Sequence, residues 1–366
     1  MAKKTKNKSK SIRQTRIVTE ICIATVAIVS AVYVLKVTYD HTEAVPASPF
    51  IEISDNTESN SELVPEDPNK IIYESIEYPT AKKFEGELIL VNNSNQYYGF
   101  NEELVSVTAK INEEERTSFA GGDDSVQVRP VFYDALADML ENFYQEKQID
   151  DVVILDGYRT AEEQQNLYDA DLAETGLETS ERVAKSGFSE HQTGYACDFT
   201  TSTTWDYDGQ GEYSWIDEHC WEYGIILRYP EDKTAITQIQ YEPWHYRYVG
   251  IPHAYYMTKN HLCLEEYTDL LRTSYPYESQ HLEIQYDANN KCEVYFVKAD
   301  ESSENTYIPV PSGKKYEISG NNSDGFIVTV YLEGDGQSVS VPDEQPTDNT
   351  TTDTIGTTDL STDIAQ

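Results

Sequence analysis

The sequence predicts an α+β fold with a largely antiparallel sheet and a small β-rich extension on the C-terminal side. Segments with helical periodicity alternate with short β-branched or aromatic runs, and no GxGxxG motif or P-loop is present to indicate a nucleotide-binding fold. The chain has 366 residues, of which 39% are hydrophobic. This is enough apolar material for a core in two average domains, or in one larger domain with tails.

The first 70 residues predict a membrane anchor followed by a linker. Residues 1–16 carry seven Lys and Arg and no acidic residue, and the apolar segment that follows contains a single acid. As a helix, this segment would span roughly 28 Å, close to the ~30 Å hydrocarbon core of a bilayer. We expect a cytoplasmic basic arm (1–16), a transmembrane signal anchor (17–36) and a disordered linker (37–70), with the remainder outside the cytoplasm. A cleaved signal peptide is the alternative, and either segment would export the folded body.

The exported part is strongly acidic, because the whole chain has a net charge of −38 although its N-terminal arm is basic. Nucleic acid is excluded as a partner, since neutralising phosphates requires clustered Lys and Arg. A solvated acidic surface is the simplest interpretation of this charge.

Helices are predicted from apolar spacing and end signals. Residues 130–147 begin with a proline and place one apolar face inward, consisting of Val131, Ala135, Leu136, Met139, Leu140 and Phe143. Thr160 and Glu163 fit a capping box that opens a second helix containing Leu167, Ala170 and Leu172. A third helix is expected over 215–223, ended by Gly224, and a fourth over 252–272.

Strands are predicted where short β-branched or aromatic runs occur, at 151–155, 194–200, 225–229 and 239–249, the last interrupted at Pro243.

The predicted helices and strands together indicate a folded domain over 71–272. Four further β-rich runs predict the small extension over 273–333. Residues 334–366 are rich in Thr, Asp and Ser with few large apolar residues, which indicates a disordered tail.

Five cysteines are present, of which Cys22 lies in the predicted anchor. The other four, Cys197, Cys220, Cys263 and Cys292, are not in a CxxC spacing, so a cysteine zinc site is not expected. Four cysteines can pair in three ways, and buried free thiols are an equally good interpretation.

Two short segments, residues 189–198 and 242–246, concentrate the side chains that can bind a metal. His191, Asp198 and His245 supply two imidazoles and one carboxylate. Catalytic zinc typically has three such protein ligands and leaves a fourth position for water. Glu242 precedes His245 by three residues, close enough to accept a proton from an attacking water and pass it to a leaving amine. The spacing of these residues is a less specific indicator of a zinc site than the HExxH motif. Any single histidine is also more often structural than a metal ligand.

The motifs and their order resemble a known family. SEHQTGYACD, residues 189–198, fits the SxHxxGxAxD pattern of LAS metallopeptidases, and EPWHYRYVG, residues 242–250, looks like the second motif of their VanY-type D-alanyl-D-alanine carboxypeptidase branch. Asp156 to Thr160 with Gln164 resembles that branch's YR-T/S-xxxQ segment. The resemblance, from about residue 71 to 263, implies a LAS or hedgehog-like zinc peptidase fold with a central antiparallel sheet flanked by helices.

Site roles follow from the resemblance by position. It implies that His191, Asp198 and His245 bind one catalytic Zn2+ and that Glu242 is the general acid/base. Arg159 would stabilise charge near the scissile carbonyl, and Gln164, Ser189 and Tyr229 would contact the terminal D-alanine. The alternatives are a surface salt bridge for Arg159, with Glu162 or Glu163, and a turn position for Ser189.

The resemblance implies removal of the C-terminal D-alanine from peptidoglycan stem peptides, on the cell-wall side of a bacterial membrane. Within this class, an L,D-carboxypeptidase or an endopeptidase acting on muropeptides is an alternative, whereas a D-Ala-D-Ala dipeptidase fits an exported chain less well. From another class, the chain could be a catalytically silent, zinc-stabilised cell-wall-binding module, or an adhesive surface protein acting through its β-rich segment. The sequence leaves the oligomeric state open.

Overall fold

A computed structural model describes residues 71–99, 103–180, 182–334 and 336. The predicted arm, anchor and linker lie outside these residues, as does nearly all of the predicted tail. Among the described helices, none has the length and apolar character that crossing a membrane requires.

The described chain alternates helices and strands, as the sequence predicts. The helices are α1 (Val107–Glu113), α2 (Pro130–Lys147), α3 (Ala161–Thr175), α4 (Ser214–His219), α5 (Thr234–Thr237), α6 (Ile251–Lys259) and α7 (Leu264–Ser274). The strands are β1 (Tyr73–Pro79), β2 (Val105–Ser106), β3 (Ala120–Gly121), β4 (Gln127–Val128), β5 (Val152–Asp156), β6 (Ala196–Thr201), β7 (Ile225–Leu227), β8 (His245–Tyr248), β9 (Leu282–Gln285), β10 (Lys291–Lys298), β11 (Asn305–Pro311), β12 (Tyr316–Gly320) and β13 (Gly325–Glu333). Short 3-10 turns occur at Thr80–Phe84, Glu190–Thr193, Gly211–Tyr213, Cys220–Tyr223 and Glu231–Lys233.

The central sheet has five strands in the order β3-β5-β6-β8-β7. Every neighbouring pair is antiparallel except the edge pair β3–β5, which is parallel. The largely antiparallel sheet is therefore present, with one parallel edge that the sequence did not indicate. In the β6–β8 pair, Asp198 lies directly opposite His245.

Helix α2 forms the main cover of this sheet and has the bounds that its apolar spacing predicts. Its buried face, Phe132, Leu136, Met139, Leu140 and Phe143, packs in one cluster with Val152, Ile154, Phe199 and Tyr246 from the strands. Burying each large apolar side chain contributes about 1.5–3 kcal/mol. Val131, expected on this face, is instead 37% exposed at the first turn.

Helix α3 begins with the predicted capping box, in which Thr160 and Glu163 satisfy each other's backbone N–H groups. Its buried face is not the apolar one, however. Gln164, Tyr168 and Asp171 are buried, whereas Leu167 is 44% exposed. Buried Gln164 and Asp171 have hydrogen-bond partners, since Gln164 bonds to Arg159 and the Ala184 carbonyl and Asp171 accepts from Arg182, and an apolar periodicity cannot reveal such contacts.

Two predicted elements differ from the structure. The helix expected over 252–272 is two helices, because the chain reverses at residues 260–263, where His261 has φ +53° and Cys263 opens a new capping box. The strand expected over 239–249 is regular only at β8, since the residues around Pro243 form a turn. Among the described residues, the four cysteines, Cys197, Cys220, Cys263 and Cys292, are buried free thiols.

The C-terminal β segment forms a four-stranded sheet, β12-β13-β10-β9, and β11 pairs with β1 from the beginning of the described chain. Neither β1 nor β11 was expected from the sequence. A separate apolar cluster of Tyr295, Ile308, Val310, Phe326, Val328 and Val330 lies between these strands.

His253 joins α6 to this C-terminal sheet. Its Nδ1 is 2.7 Å from the Tyr267 hydroxyl and its Nε2 is 3.0 Å from the Thr329 hydroxyl. The ring is 5% exposed, and burial lowers its pKa from 6.5 to about 3. The folded protein therefore holds this imidazole neutral at pH values where the unfolded chain protonates it.

We expect His253 to make stability fall as the pH is lowered. Because its folded pKa is depressed, its contribution is complete above about pH 6.5 and is lost progressively toward pH 3, by up to about 1.4 kcal/mol per pH unit. Denaturant unfolding of the wild type and of His253→Gln, measured from pH 7 to 4, should show the wild-type advantage shrinking with acidity. The exposed His261→Gln serves as control, and a pH-independent difference for His253→Gln would contradict the assignment.

Candidate active site and metal centre

Three side chains converge beside the inner strands β6 and β8 of the central sheet. Asp198 on β6 and His245 on β8 are paired residues, and His191 comes from the 3-10 turn before β6. One donor atom from each lies within 4.8 Å of the others. His245 Nδ1 is 2.9 Å and His191 Nε2 is 3.4 Å from Asp198 Oδ1. The structure thus brings together the three metal ligands proposed from the sequence.

Gly194 makes the approach of His191 possible. It ends the 3-10 turn with φ +71°, a conformation that glycine adopts at little cost. A Cβ atom here would also lie 2.9 Å from Leu104 and 3.1 Å from Arg129. The tight turn brings His191 back beside Asp198, although the two residues are seven apart in sequence.

The ring orientations fit a metal ion. His191 Nδ1 is 2.6 Å from the Gly157 carbonyl oxygen, so its Nε2 faces the centre. His245 directs Nδ1 to the centre, and its buried Nε2 has no hydrogen-bond partner among the described residues. Burial raises the pKa of Asp198, but the two histidines outweigh it and hold that pKa below its usual range. Two imidazole nitrogens and an ionised carboxylate form a donor set of the type that catalytic zinc takes.

Glu242 lies beside this centre. Its backbone N–H donates to the Tyr229 carbonyl oxygen and its own carbonyl accepts from His245 N–H, which closes a turn over residues 242–245. Because of this turn, Glu242 Oε2 comes within 3.8 Å of His245 Nδ1, which a regular strand would not permit. Burial, with a smaller effect of the Asp198 charge, raises the pKa of Glu242 to about 7 despite His245 and Arg159.

Arg159 connects the first motif to the metal centre. Its guanidinium donates to Asp156 Oδ2 at 2.8 Å and to Gln164 Oε1 at 3.1 Å, and lies 3.4 Å from Asp198 Oδ2. Within the described chain, its ion-pair partners are these two aspartates, and not Glu162 or Glu163. Its side chain is 16% exposed, so the surface salt bridge weighed from the sequence is not what the structure shows.

A cavity of about 230 Å³ opens over the centre. It is lined by the three metal donors, by Glu242 and Arg159, and by the predicted contacts Gln164, Ser189 and Tyr229. Gln164 is held by its amide, which donates to the Ala184 carbonyl at 2.7 Å. A larger cavity of about 760 Å³ adjoins it and shares Arg159 and Leu167.

Several residues of the site were not found from the sequence. Asn92 and Arg182 line the cavity from segments that carry no motif. Glu190, Arg228 and Arg247 form a fully buried ion cluster beneath His245. Glu190 lies inside the first motif, but nothing in its spacing distinguishes a buried acid from a solvated one.

Comparison with known proteins places this site in a family. The D-alanyl-D-alanine carboxypeptidase family VanY matches residues 125–251, which contain the metal donors, Glu242 and Arg159. A D-alanyl-D-alanine carboxypeptidase of Enterococcus faecium is 43% identical over 179 residues, 49% of this chain and 54% of that protein. The bifunctional D-Ala-D-Ala dipeptidase and D-Ala-D-Ala carboxypeptidase VanXYC of Enterococcus gallinarum is 44% identical over 129 residues, 33% of this chain and 68% of that protein. This chain belongs to the VanY family.

The fold agrees with VanY membership. The crystal structure of the vancomycin resistance D,D-dipeptidase VanXYg, in complex with a D-Ala-D-Ala phosphinate analogue, matches with a TM-score of 0.62 and 30% identity, over 71% of this chain and 99% of that chain. The mixed α+β architecture and the VanY resemblance predicted from the sequence are therefore confirmed. The chain spans about half the length of the E. faecium relative, so likeness alone does not transfer that protein's activity.

Proposed function

We propose that this chain is a zinc-dependent D-alanyl-D-alanine carboxypeptidase that removes the C-terminal D-alanine from peptidoglycan stem peptides. The observation that carries the proposal is the convergence of two imidazoles and one carboxylate beside a buried glutamate, in a cavity that also contains an arginine. Membership of the VanY family supports the substrate class.

His191, Asp198 and His245 would hold the zinc ion, which supplies a Lewis acid for the scissile carbonyl and for the attacking water. The two histidines are buried and the Asp198 side chain is 15% exposed. Solvent therefore screens the electrostatic interactions of the site only weakly. The donor set leaves space on the side of Glu242, where the cavity lies.

Glu242 is the group that transfers protons. A carboxylate with a pKa of about 7 is divided between its ionised and protonated forms at neutral pH. It can therefore accept a proton from the attacking water and donate it to the leaving amine of D-alanine. It lies beside His245 and is not one of the three groups that would hold the metal.

Arg159 opposes the negative charge that develops on the carbonyl oxygen in the tetrahedral intermediate. Asp156 and Gln164 hold the guanidinium at the cavity wall, so little reorganisation is needed when the substrate binds. Ser189, Gln164 and Tyr229 line the same cavity and would hold the terminal D-alanine.

The adjoining cavity favours a peptide over a free dipeptide. A cavity of about 230 Å³ suits the end of a chain, whereas the 760 Å³ cavity beyond Arg159 gives room for preceding residues. VanXYC and VanXYg are named as dipeptidases, and that activity is a property of those two proteins. Comparing D-Ala-D-Ala with a pentapeptide as substrates separates the two activities.

The direct test is release of D-alanine by the purified protein. We expect zinc-loaded protein to release D-alanine from a stem pentapeptide, to lose this activity with a chelator and to regain it when zinc is restored. Tetrapeptide and cross-linked muropeptide substrates, measured in parallel, address the L,D-carboxypeptidase and endopeptidase alternatives. Absence of chelator-sensitive release from every one of these substrates would refute the peptidase proposal and leave the silent wall-binding module and the adhesive surface protein as alternatives.

Replacing Glu242 tests the proton-transfer role. We expect Glu242→Gln to retain zinc at the wild-type stoichiometry while kcat falls at least ~100-fold, since general acid–base catalysis contributes about 10²–10⁴-fold. The exposed Glu162→Gln on the first turn of α3 is the matched control and should keep wild-type kcat. Full activity of Glu242→Gln would remove this residue from the mechanism.

We also propose that the folded body lies outside the cytoplasm, held by residues 17–36. The basic arm and the apolar run support this orientation, and the wall substrate is found on that side. In intact bacteria with a permeabilised wall, external protease should degrade the body, and deletion of residues 1–36 should move the protein to the cytosol. Full protection from protease in intact cells, together with degradation after lysis, would contradict this placement.

A further inference from the structure

Glu190 lies beneath the metal centre and is 1% exposed. Its Oε1 is 2.8 Å from Arg228 Nε and 2.9 Å from Arg247 Nη1. Its other oxygen, Oε2, is directed to His245 Nε2, at 3.7 Å. Glu190 Oε2 and His245 Nε2 are both buried, and neither has a hydrogen-bond partner among the described residues. Each atom therefore has the other as a polar neighbour at 3.7 Å, beside the arginine nitrogens that contact Glu190.

Two arginines contact the carboxylate of Glu190. Arg228 Nε and Arg247 Nη1 both lie within ion-pair distance of its Oε1, and their positive charges offset the negative charge of the buried carboxylate. Glu190 therefore offers a charged acceptor to the side of His245 that faces away from the metal centre.

The arginines are themselves fixed, so the carboxylate cannot easily turn away. Arg228 donates to both oxygens of Glu265, at 2.9 and 2.7 Å. Arg247 donates to the Glu87 and Ile89 carbonyl oxygens, at 2.7 and 3.2 Å. Both guanidinium groups are fully buried.

We propose that Glu190 is a positioning residue, whose carboxylate accepts the Nε2–H of His245 and so directs the Nδ1 lone pair to the metal. The inference rests on the proposed zinc site. His191 is oriented similarly, with the Gly157 carbonyl oxygen next to its Nδ1. The two ligands differ in their acceptors, because His191 faces a neutral carbonyl oxygen and His245 faces a carboxylate. The carboxylate makes His245 the more electron-rich ligand.

The alternative is that Glu190 serves only to neutralise two buried arginines. Glu265 makes this distinction testable, because it also pairs with Arg228 but has no hydrogen bond or ion pair with His245 in the described structure. Removing either carboxylate weakens the same arginine cluster, whereas only Glu190→Gln removes the charged acceptor from the metal ligand. Glu265→Gln is therefore the matched control.

The measurement is the zinc dissociation constant of the full chain, obtained by competition with a chromophoric chelator, together with the thermal midpoint of the metal-free protein. We expect Glu190→Gln to weaken zinc binding about 10–100-fold, the range found when such supporting partners are removed. Glu265→Gln should weaken it less than about threefold. Unchanged affinity in Glu190→Gln, or equal losses in both variants, would overturn the proposal.

A second measurement uses the wild type, in case Glu190→Gln does not fold. Nitrogen NMR of ¹⁵N-labelled histidine rings in the zinc-loaded protein should show His245 coordinated through Nδ1 with a proton on Nε2, and His191 the reverse. A proton on His245 Nδ1, with Nε2 coordinated, would refute the role of Glu190. These readouts do not depend on turnover, so the inference stands if zinc binding behaves as expected while D-alanine release fails.

Discussion

The antiparallel pairing of β6 with β8 is the constraint on which the site depends. It places Asp198 opposite His245, and the two side chains approach to 2.9 Å. A slip of one residue would turn either side chain to the other face of the sheet and separate the donors. The register is held by the apolar cluster of α2 and the strands, in which Phe199 and Tyr246 are buried next to the site. Apolar packing beside the site therefore sets the positions of the metal donors.

Buried charge is the second feature that the fold must accommodate. Asp198, Glu190 and Glu242 lie close together, and Arg159, Arg228 and Arg247 offset them from three sides. Breaking a buried ion pair costs about 3–5 kcal/mol, because the remaining charge is left without a partner. Each acid nevertheless has a different environment. Two histidines hold the pKa of Asp198 below its usual range, and two arginines do the same for Glu190, whereas burial raises the pKa of Glu242. This difference suits Asp198 for binding a metal and Glu242 for proton transfer.

Local patterns in the sequence predicted those elements that local interactions specify. Helix α2 has its predicted bounds, and the α3 capping box is present, because apolar spacing and end caps act within a few residues. The prediction was wrong where tertiary contacts override the pattern. The buried face of α3 is polar, and the helix expected over 252–272 is divided by a reversal of the chain. Strands β1 and β11 were missed, because their pairing joins residues more than two hundred positions apart.

The sequence by itself determined which residue types are available for chemistry: two histidines, an aspartate, a glutamate and an arginine, in the order of a VanY peptidase. The identities and spacing of these residues are fixed by the covalent structure of the chain, and the resemblance to the family depends on these alone. Tertiary structure alone decided which nitrogen of each ring faces the centre, which acid has a raised pKa, and that Glu190 lies beneath His245 with two arginines. These properties depend on distances and burial between segments far apart in the chain, and one-dimensional spacing carries no information about either.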